Sequence, residues 1–313
     1  MQILDRLFGK APASQSDAGL KHYEELLGSL FVMAWFVEAR DPYTGGHLWR
    51  VSRYAQLLAR AGRLTPVQVA LAGLGGFLHD LGKIGVPDAI LRKPDKLTDG
   101  EYDIIKTHPT IGMRMLAAHP LAHLVRDAVL LHHERPDGKG YPFGLQRDEI
   151  PQVARLVGVC DTFDALTSAR PYRSAMPIPR ALGILRELSG TQLDSEWVAH
   201  FQHLGQDGVL SHIQGHSDDG IRLQECPMCG PTLVVRRDQH AGDALYCRNC
   251  TGAFVLEQTA EHALRAVATG GQGRPQDMEP EADHALIARS IHDSLNLMPV
   301  QELQTLAVQV NEV

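Results

Sequence analysis

A chain of 313 residues exceeds the ~100–200 residues of an ordinary domain, so one substantial domain with one or two small units is expected. Hydrophobic residues make up 44% and the formal net charge is -7, which argues against general affinity for nucleic acid or anionic membrane. No apolar run approaches the ~20 residues of a membrane span and the N-terminus lacks a secretory pattern, so a cytoplasmic location is expected.

Residues 1–18 read as a leader rather than a membrane anchor, with Ile3, Leu4, Leu7 and Phe8 able to form one apolar turn. From Gly19 to Arg40 the positions Leu26, Leu27, Leu30 and Val37 recur at helical spacing, and this helix supports the next. After the break at 41–46, His47 shares a stripe with Val51, Tyr54 and Leu58, which points it inward. Residues 67–83 predict another helix with Leu71, Leu74, Leu78 and Leu81 on its core face, carrying the pair His79-Asp80 and then Lys83. A lone His-Asp pair is most often solvated helix surface, and a lone inward histidine is most often a hydrogen-bonded core residue.

Thr98 with Glu101 predicts a capping box, opening a helix whose Ile104 precedes His108 by one turn. Leu121, Val125, Ala128 and His132 form a third inward stripe, followed by a loop rich in glycine and proline from His132 to Pro142. Asp161 stands among Leu156, Val159, Cys160, Phe163 and Leu166, where burying a carboxylate costs several kcal/mol unless it is paired or metal-bound. The inward set is therefore His47, His79, Asp80, His108, His132 and Asp161. Six such groups in one helical region are hard to satisfy by ordinary hydrogen bonding. Mixed imidazole and carboxylate ligands suit zinc, iron, manganese or nickel, and carboxylates such as Asp80 can bridge two metals. Paired metals suit in-line displacement at phosphorus.

Residues 206–221 turn polar and predict a linker, with a small metal site at His212, His216, Asp218 and Asp219 as the other reading. Within 222–257, Cys226-x-x-Cys229 and Cys247-x-x-Cys250 indicate a tetrahedral structural zinc, and Leu233–Val235 and Ala253–Leu256 predict short strands. That segment resembles a zinc ribbon. Its arginines 222, 236, 237 and 248 are offset by Glu225, Asp238, Asp243 and Glu257, which disfavours nucleic acid and favours a protein-docking module. Cys160 reads as a reduced core cysteine. Residues 258–280 predict a helix and linker. Residues 281–313 predict two amphipathic helices that dock on this chain or on a copy of it, the latter as a homodimer.

Three blocks carry a family resemblance: His79-Asp80-Leu81-Gly82-Lys83; His132-His133-Glu134 through Asp137-Gly138 to Gly140-Tyr141-Pro142; and Asp161 with Phe163–Ser168 and Arg170-Pro171-Tyr172-Arg173. With them, residues 19–205 resemble the HD-GYP domains of bacterial signalling, a branch of the HD phosphohydrolases. The resemblance implies a mainly α protein, an HD-type helical bundle bearing a small zinc-ribbon β module and C-terminal helices. It implies hydrolysis of cyclic di-GMP to linear pGpG, and on to GMP in some members, through a metal-bridging hydroxide. The metal ligands carried over are His47, His79, Asp80, His108, His132, His133 and Asp161, holding two divalent transition metals, iron or manganese. Lys83 and Asp80 carry catalysis, Lys83 at the scissile phosphate, while Tyr141, Arg170 and Arg173 face the dinucleotide. Some relatives hold a third metal through a glutamate where this chain has Tyr43. Glu134 and Asp137 read as groups that support the ligands or fix the loop, with a general base as the other reading. The Gly-Tyr-Pro loop is a partner-docking surface in the family. The alternative is a catalytically weak cyclic di-GMP sensor signalling through the ribbon or C-terminal helices.

Overall fold

The computed structural model describes residues 13–41, 44–93, 95–169, 174–230, 232–261 and 263–310. Ile3, Leu4, Leu7 and Phe8, together with Tyr43, Arg170 and Arg173, lie outside the described residues.

Helix α1 (Ala13–Glu38) buries Leu27, Leu30, Phe31, Ala34 and Val37 along one side. It lies against α2 (His47–Ala61) and α3 (Pro66–Leu78), the innermost helices. Tyr54 of α2 meets the rings of Phe163 and Phe201 edge-on, tying two later helices to the centre. Thr65 closes a capping box with Gln68 at the start of α3, with Pro66 in the first turn where its missing N–H is harmless.

The helix expected over 67–83 stops at Leu78, and Leu81–Gly85 form a tighter 3-10 turn. The turn drops onto the neighbouring backbone: a Cβ at Gly82 would stand 1.7 Å from the His108 carbonyl oxygen. Two main chains are thereby brought into contact beside the His-Asp pair.

Short helices α4 (Asp88–Leu91) and α5 (Asp99–Ile105) follow, the latter with the Thr98–Glu101 capping box. Helices α6 (His108–Leu116), α7 (Ala122–Leu131), α8 (Gln152–Thr167), α9 (Ile178–Leu188) and α10 (Ser195–Gln206) complete the bundle. No helix among the described residues is long and apolar enough to cross a membrane.

The stretch 206–221 is not a bare linker. It holds a 3-10 turn and the antiparallel pair β1 (His216–Asp218) and β2 (Ile221–Arg222), which packs over the start of α2. Gly46, at φ 72°, accommodates it, since a Cβ there would stand 2.7 Å from Ser217 Cα. Asp218 is buried and bonded to Arg237 (3.1 Å) and Arg289, so its carboxylate is committed to arginines rather than to a metal with His212 and His216.

The ribbon pairs β3 (Gln224–Glu225) with β4 (Thr232–Leu233), and continues in a sheet ordered β5 (Ala244–Tyr246), β6 (Gly252–Gln258), β7 (Leu264–Gln272). The helix expected in 258–280 is therefore a strand, antiparallel to β6 through a turn closed by Thr259 N–H donating to the Ala263 carbonyl at 2.8 Å. Val267 and Thr269 suit the extended backbone. Helices α11 (His284–Leu297) and α12 (Val300–Val310) return to the bundle, where Leu286, Ile287, Met298 and Leu303 join its core.

Gly82→Ala is expected to destabilise the fold by about 3 kcal/mol or more, because backbone must move. Gly183→Ala, in open space on α9, is expected to add about 0.5–1 kcal/mol. Urea unfolding of the two variants beside the parent checks both signs.

Candidate metal centre

Four histidines reach one buried point from different elements, and each is oriented by an oxygen behind it. His47 Nδ1 lies 2.8 Å from Asp164 Oδ2, and His79 Nδ1 lies 2.8 Å from the Gly76 carbonyl. His108 and His132 repeat the arrangement with the carbonyls of Ile105 and Ala128, both at 2.8 Å. A carbonyl or carboxylate only accepts, so each Nδ1 carries hydrogen and each Nε2 is turned to the centre, as a free lone pair where the ring is neutral. His108 Nε2 and His132 Nε2 then face each other at 3.3 Å, and His79 Nε2 is buried without a hydrogen-bond partner. Opposed lone pairs in a buried site call for a cation.

The ligand atoms fall into two groups, His47–His79–Asp80 and His108–His132–His133, each with its atoms within 4.8 Å of one another. Asp80 stands between them. Its Oδ2 is 3.5 Å from His47 Nε2 and 3.4 Å from His79 Nε2, while its Oδ1 is 3.4 Å from His108 Nε2. Asp161 Oδ1 lies 3.6 Å from His47 Nε2 and 3.7 Å from His79 Nε2. Ligands around an ion with bonds of ~2.1 Å sit roughly 3.0–3.5 Å apart, so this donor set fits divalent metals. Lys83 Nζ adds a positive charge 2.5 Å from Asp80 Oδ2.

Electrostatics divide the cluster. Burial opposes charge on His79, yet the carboxylates of Asp80 and Asp161 outweigh it and lift its pKa to about 10. Burial would also raise Asp80, but Lys83 and His79 hold it well below the usual carboxylate range. Asp161 is held low against burial by His79. Burial pushes His108 down to about 4 and His133 down to about 3, and places His132 well below its ordinary value.

Three residues that the sequence reading passed over complete the surroundings. Asp164, which orients His47, is gripped by Arg50 through Nε (2.6 Å) and Nη2 (3.0 Å), and both side chains are buried. The signal was available: Asp164 follows Asp161, and Arg50 follows His47, by three positions on the same helix. Glu38, at the end of α1, is pushed up to about 7 by burial despite His47 and Arg50 nearby, and its Oε1 has no hydrogen-bond partner.

A cavity of ≈ 280 Å³ opens on His132, His133 and Asp161 and is bordered by Tyr102, Lys139 and Tyr141. The Tyr141 ring stacks on His133 at 4.7 Å and 27°. Glu134 fixes the loop by accepting from the N–H groups of Phe143 (2.7 Å) and Leu145 (2.9 Å). Asp137 accepts from Lys139 N–H and pairs with Arg135. Gly138 sits at φ 74°, and a Cβ at Gly140 would stand 2.4 Å from Arg135 N. A larger cleft of ≈ 360 Å³ lies between the bundle and the ribbon, lined by Trp35, Trp49, Tyr246 and Arg248. It holds none of the histidines. In the ribbon the cysteine sulfurs converge, with Cys226–Cys250 at 3.6 Å and Cys229–Cys247 at 3.5 Å.

The sequence profile of the HD domain matches residues 32–197, more than half of the chain. The chain belongs to the HD domain family. A cyclic di-GMP phosphodiesterase of Pseudomonas aeruginosa is 44% identical to this HD protein over 155 residues, covering 49% of this chain and 37% of that protein. A cyclic di-GMP phosphodiesterase of Thermotoga maritima is 39% identical over 188 residues, 59% of this chain and 51% of that protein. A 3'3'-cGAMP-specific phosphodiesterase of Vibrio cholerae is 42% identical over 164 residues, 52% of this chain and 35% of that protein. The chain spans about a third to a half of the length of these curated relatives.

Metal must displace the extra proton that His79 keeps up to about pH 10, whereas His108 and His133 have none to lose at neutral pH. Loading metal at pH 8 is therefore expected to release about one proton or more, and apparent affinity to fall about tenfold per unit as the pH is lowered to 7. Titration calorimetry in buffers of differing ionisation enthalpy measures this. Uptake without proton release would contradict the charge assignment.

Proposed function

We propose that this HD protein is a metal-dependent phosphodiesterase acting on a cyclic dinucleotide, cyclic di-GMP foremost, with linear pGpG as first product. The observation that carries the reading is the division of Asp80, one carboxylate oxygen toward His47 and His79 and the other toward His108. The named activities of the relatives support the choice of substrate class.

Two divalent transition metals, iron or manganese, would supply a water-derived nucleophile at neutral pH and neutralise charge at phosphorus. His47, His79, Asp161 and Asp80 would hold one, and Asp80, His108, His132 and His133 the other. Asp164 and Arg50 keep His47 in its ligating tautomer. Lys83, beside Asp80, would neutralise a phosphate oxygen as negative charge grows. Tyr141, backed by His133, offers a flat surface to a base. Arg170 and Arg173 complete the dinucleotide contacts in this reading.

A cyclic dinucleotide brings a second phosphate that the metals do not touch. Of the cations around the cavity, Lys106 is paired with Asp103 (2.6 Å), Arg135 with Asp137 (2.6 Å) and Arg155 with Asp194 (2.7 Å). Lys139, exposed at the rim on a fixed loop, has no carboxylate within salt-bridge distance among the described residues and is the cation for that phosphate. The four cysteines would hold a structural zinc, and all five cysteines are unbridged.

Asp80→Ala is expected to abolish cyclic di-GMP hydrolysis by the metal-loaded protein, and undiminished turnover would sink the mechanism. Lys139→Ala is expected to raise KM for cyclic di-GMP about tenfold while leaving bis(p-nitrophenyl) phosphate, which has a single phosphate, unaffected. Elemental analysis of the purified protein is expected to find about two transition metals besides one zinc. A helical domain that takes up no metal would favour the sensor instead.

A further inference from the structure

The ribbon touches the bundle at a telling place. Arg248 lies inside the second cysteine knuckle, between Cys247 and Cys250, and its Nη1 donates to the Ala39 carbonyl at 3.0 Å. Ala39 follows the last residue of α1, where helix carbonyls lack intrahelical partners and a cation is favoured. The next residue, Arg40, grips the turn that carries Lys83. Its Nη1 donates to the carbonyls of Lys83 (3.3 Å) and Ile84 (2.7 Å), and its Nη2 to the Val86 carbonyl (3.0 Å) and Asp88 Oδ1 (2.5 Å). Asp88 opens α4, and Arg92 at the end of α4 donates back to the Arg248 carbonyl at 3.5 Å. The contacts close a ring: knuckle, end of α1, lysine turn, α4, knuckle.

Arg248 owes its place to this ring and not to an ion pair. Burial lowers its pKa, Arg236 nearby lowers it further, and no carboxylate lies within salt-bridge distance among the described residues. The knuckle geometry that aims it depends on the cysteines. Cys247 N–H donates to the Gly252 carbonyl (2.9 Å), Thr251 N–H to the Cys247 carbonyl (2.8 Å), and Thr251 takes φ 60°. Four thiols within 4.8 Å of one another stay converged when a metal holds them, and loss of that metal loosens the turn between them.

We propose that Arg248 is a positioning residue for Lys83: through Ala39 and Arg92 the ribbon sets the turn that carries the lysine, so the state of the four cysteines is read out at the HD centre. This assigns the ribbon a role in regulating the same site, and it rests on the phosphodiesterase reading above. Releasing Arg248 frees the turn and displaces the Lys83 ammonium from Asp80, which weakens charge neutralisation in the transition state more than ground-state binding.

The test uses the full chain, manganese-loaded, as Arg248→Ala, Arg248→Lys and Cys250→Ser beside the parent. Hydrogen–deuterium exchange of peptides covering 81–92 is measured together with kcat and KM for cyclic di-GMP and the manganese content. In Arg248→Ala and Cys250→Ser, exchange in 81–92 is expected to quicken and kcat to fall about tenfold with KM and manganese content unchanged. Arg248→Lys, which keeps a donor for the Ala39 carbonyl, is expected to recover part of both. Parental exchange in Arg248→Ala overturns the proposal, and so does quickened exchange with parental kcat. If the parent turns over no cyclic dinucleotide while exchange still responds to Arg248, the phosphodiesterase reading fails and the tether between ribbon and turn stands.

Discussion

Imidazole nitrogens whose hydrogens are all committed outward leave their lone pairs facing one another, and a buried space of that kind is unfavourable until positive charge enters it. The outward bonds of His108 and His132 make this arrangement, those of His47 and His79 turn their Nε2 atoms to the same point beside Asp80 and Asp161, and much of the helical domain serves to hold it. Three of the acceptors are main-chain carbonyls three or four residues upstream of the histidine they orient. Helix geometry therefore sets the tautomer and no extra side chain is needed. At His47 the carbonyl three residues upstream, Thr44, accepts from the main-chain N–H instead (2.8 Å), and the ring is oriented by Asp164 from α8, itself gripped by Arg50 one turn along α2.

Bringing the pieces together requires close approach of main chains. Gly82 lets the turn after α3 rest on the start of α6, which places Asp80 between histidines from α2, α3, α6 and α7. The Gly-Tyr-Pro loop is stiffened differently, by Glu134 reaching across it to two N–H groups and by glycines at positions where a side chain has no room. Rigid loops of this kind present Lys139 and Tyr141 to the cavity at small entropic cost on binding.

The parts beyond the bundle are joined to it more closely than a chain of linkers allows. Asp218 gathers Arg237 from the ribbon and Arg289 from α11 onto one buried carboxylate, and Arg248 reaches the end of α1. The ribbon, the hairpin β1–β2 and the C-terminal helices thus form one continuous packing with the helices that carry the histidine and aspartate cluster.

The sequence by itself determined the helices with clean apolar stripes, the capping box at Thr98, the cysteine knuckles, and which histidines and aspartates lie on inward faces. These are local properties, written in spacings of three and four residues or in fixed motifs. It did not determine where the helix after residue 67 ends, that 264–272 pairs as a strand, or that Asp164 and Arg50 orient His47. Each of those depends on a contact between segments far apart in the chain: Gly82 against His108, β7 against β6, α8 against α2. Only the tertiary structure decided that Asp80 turns its two oxygens to different histidine groups, because which ligands face each carboxylate oxygen is set by the packing of four helices and not by any spacing along one.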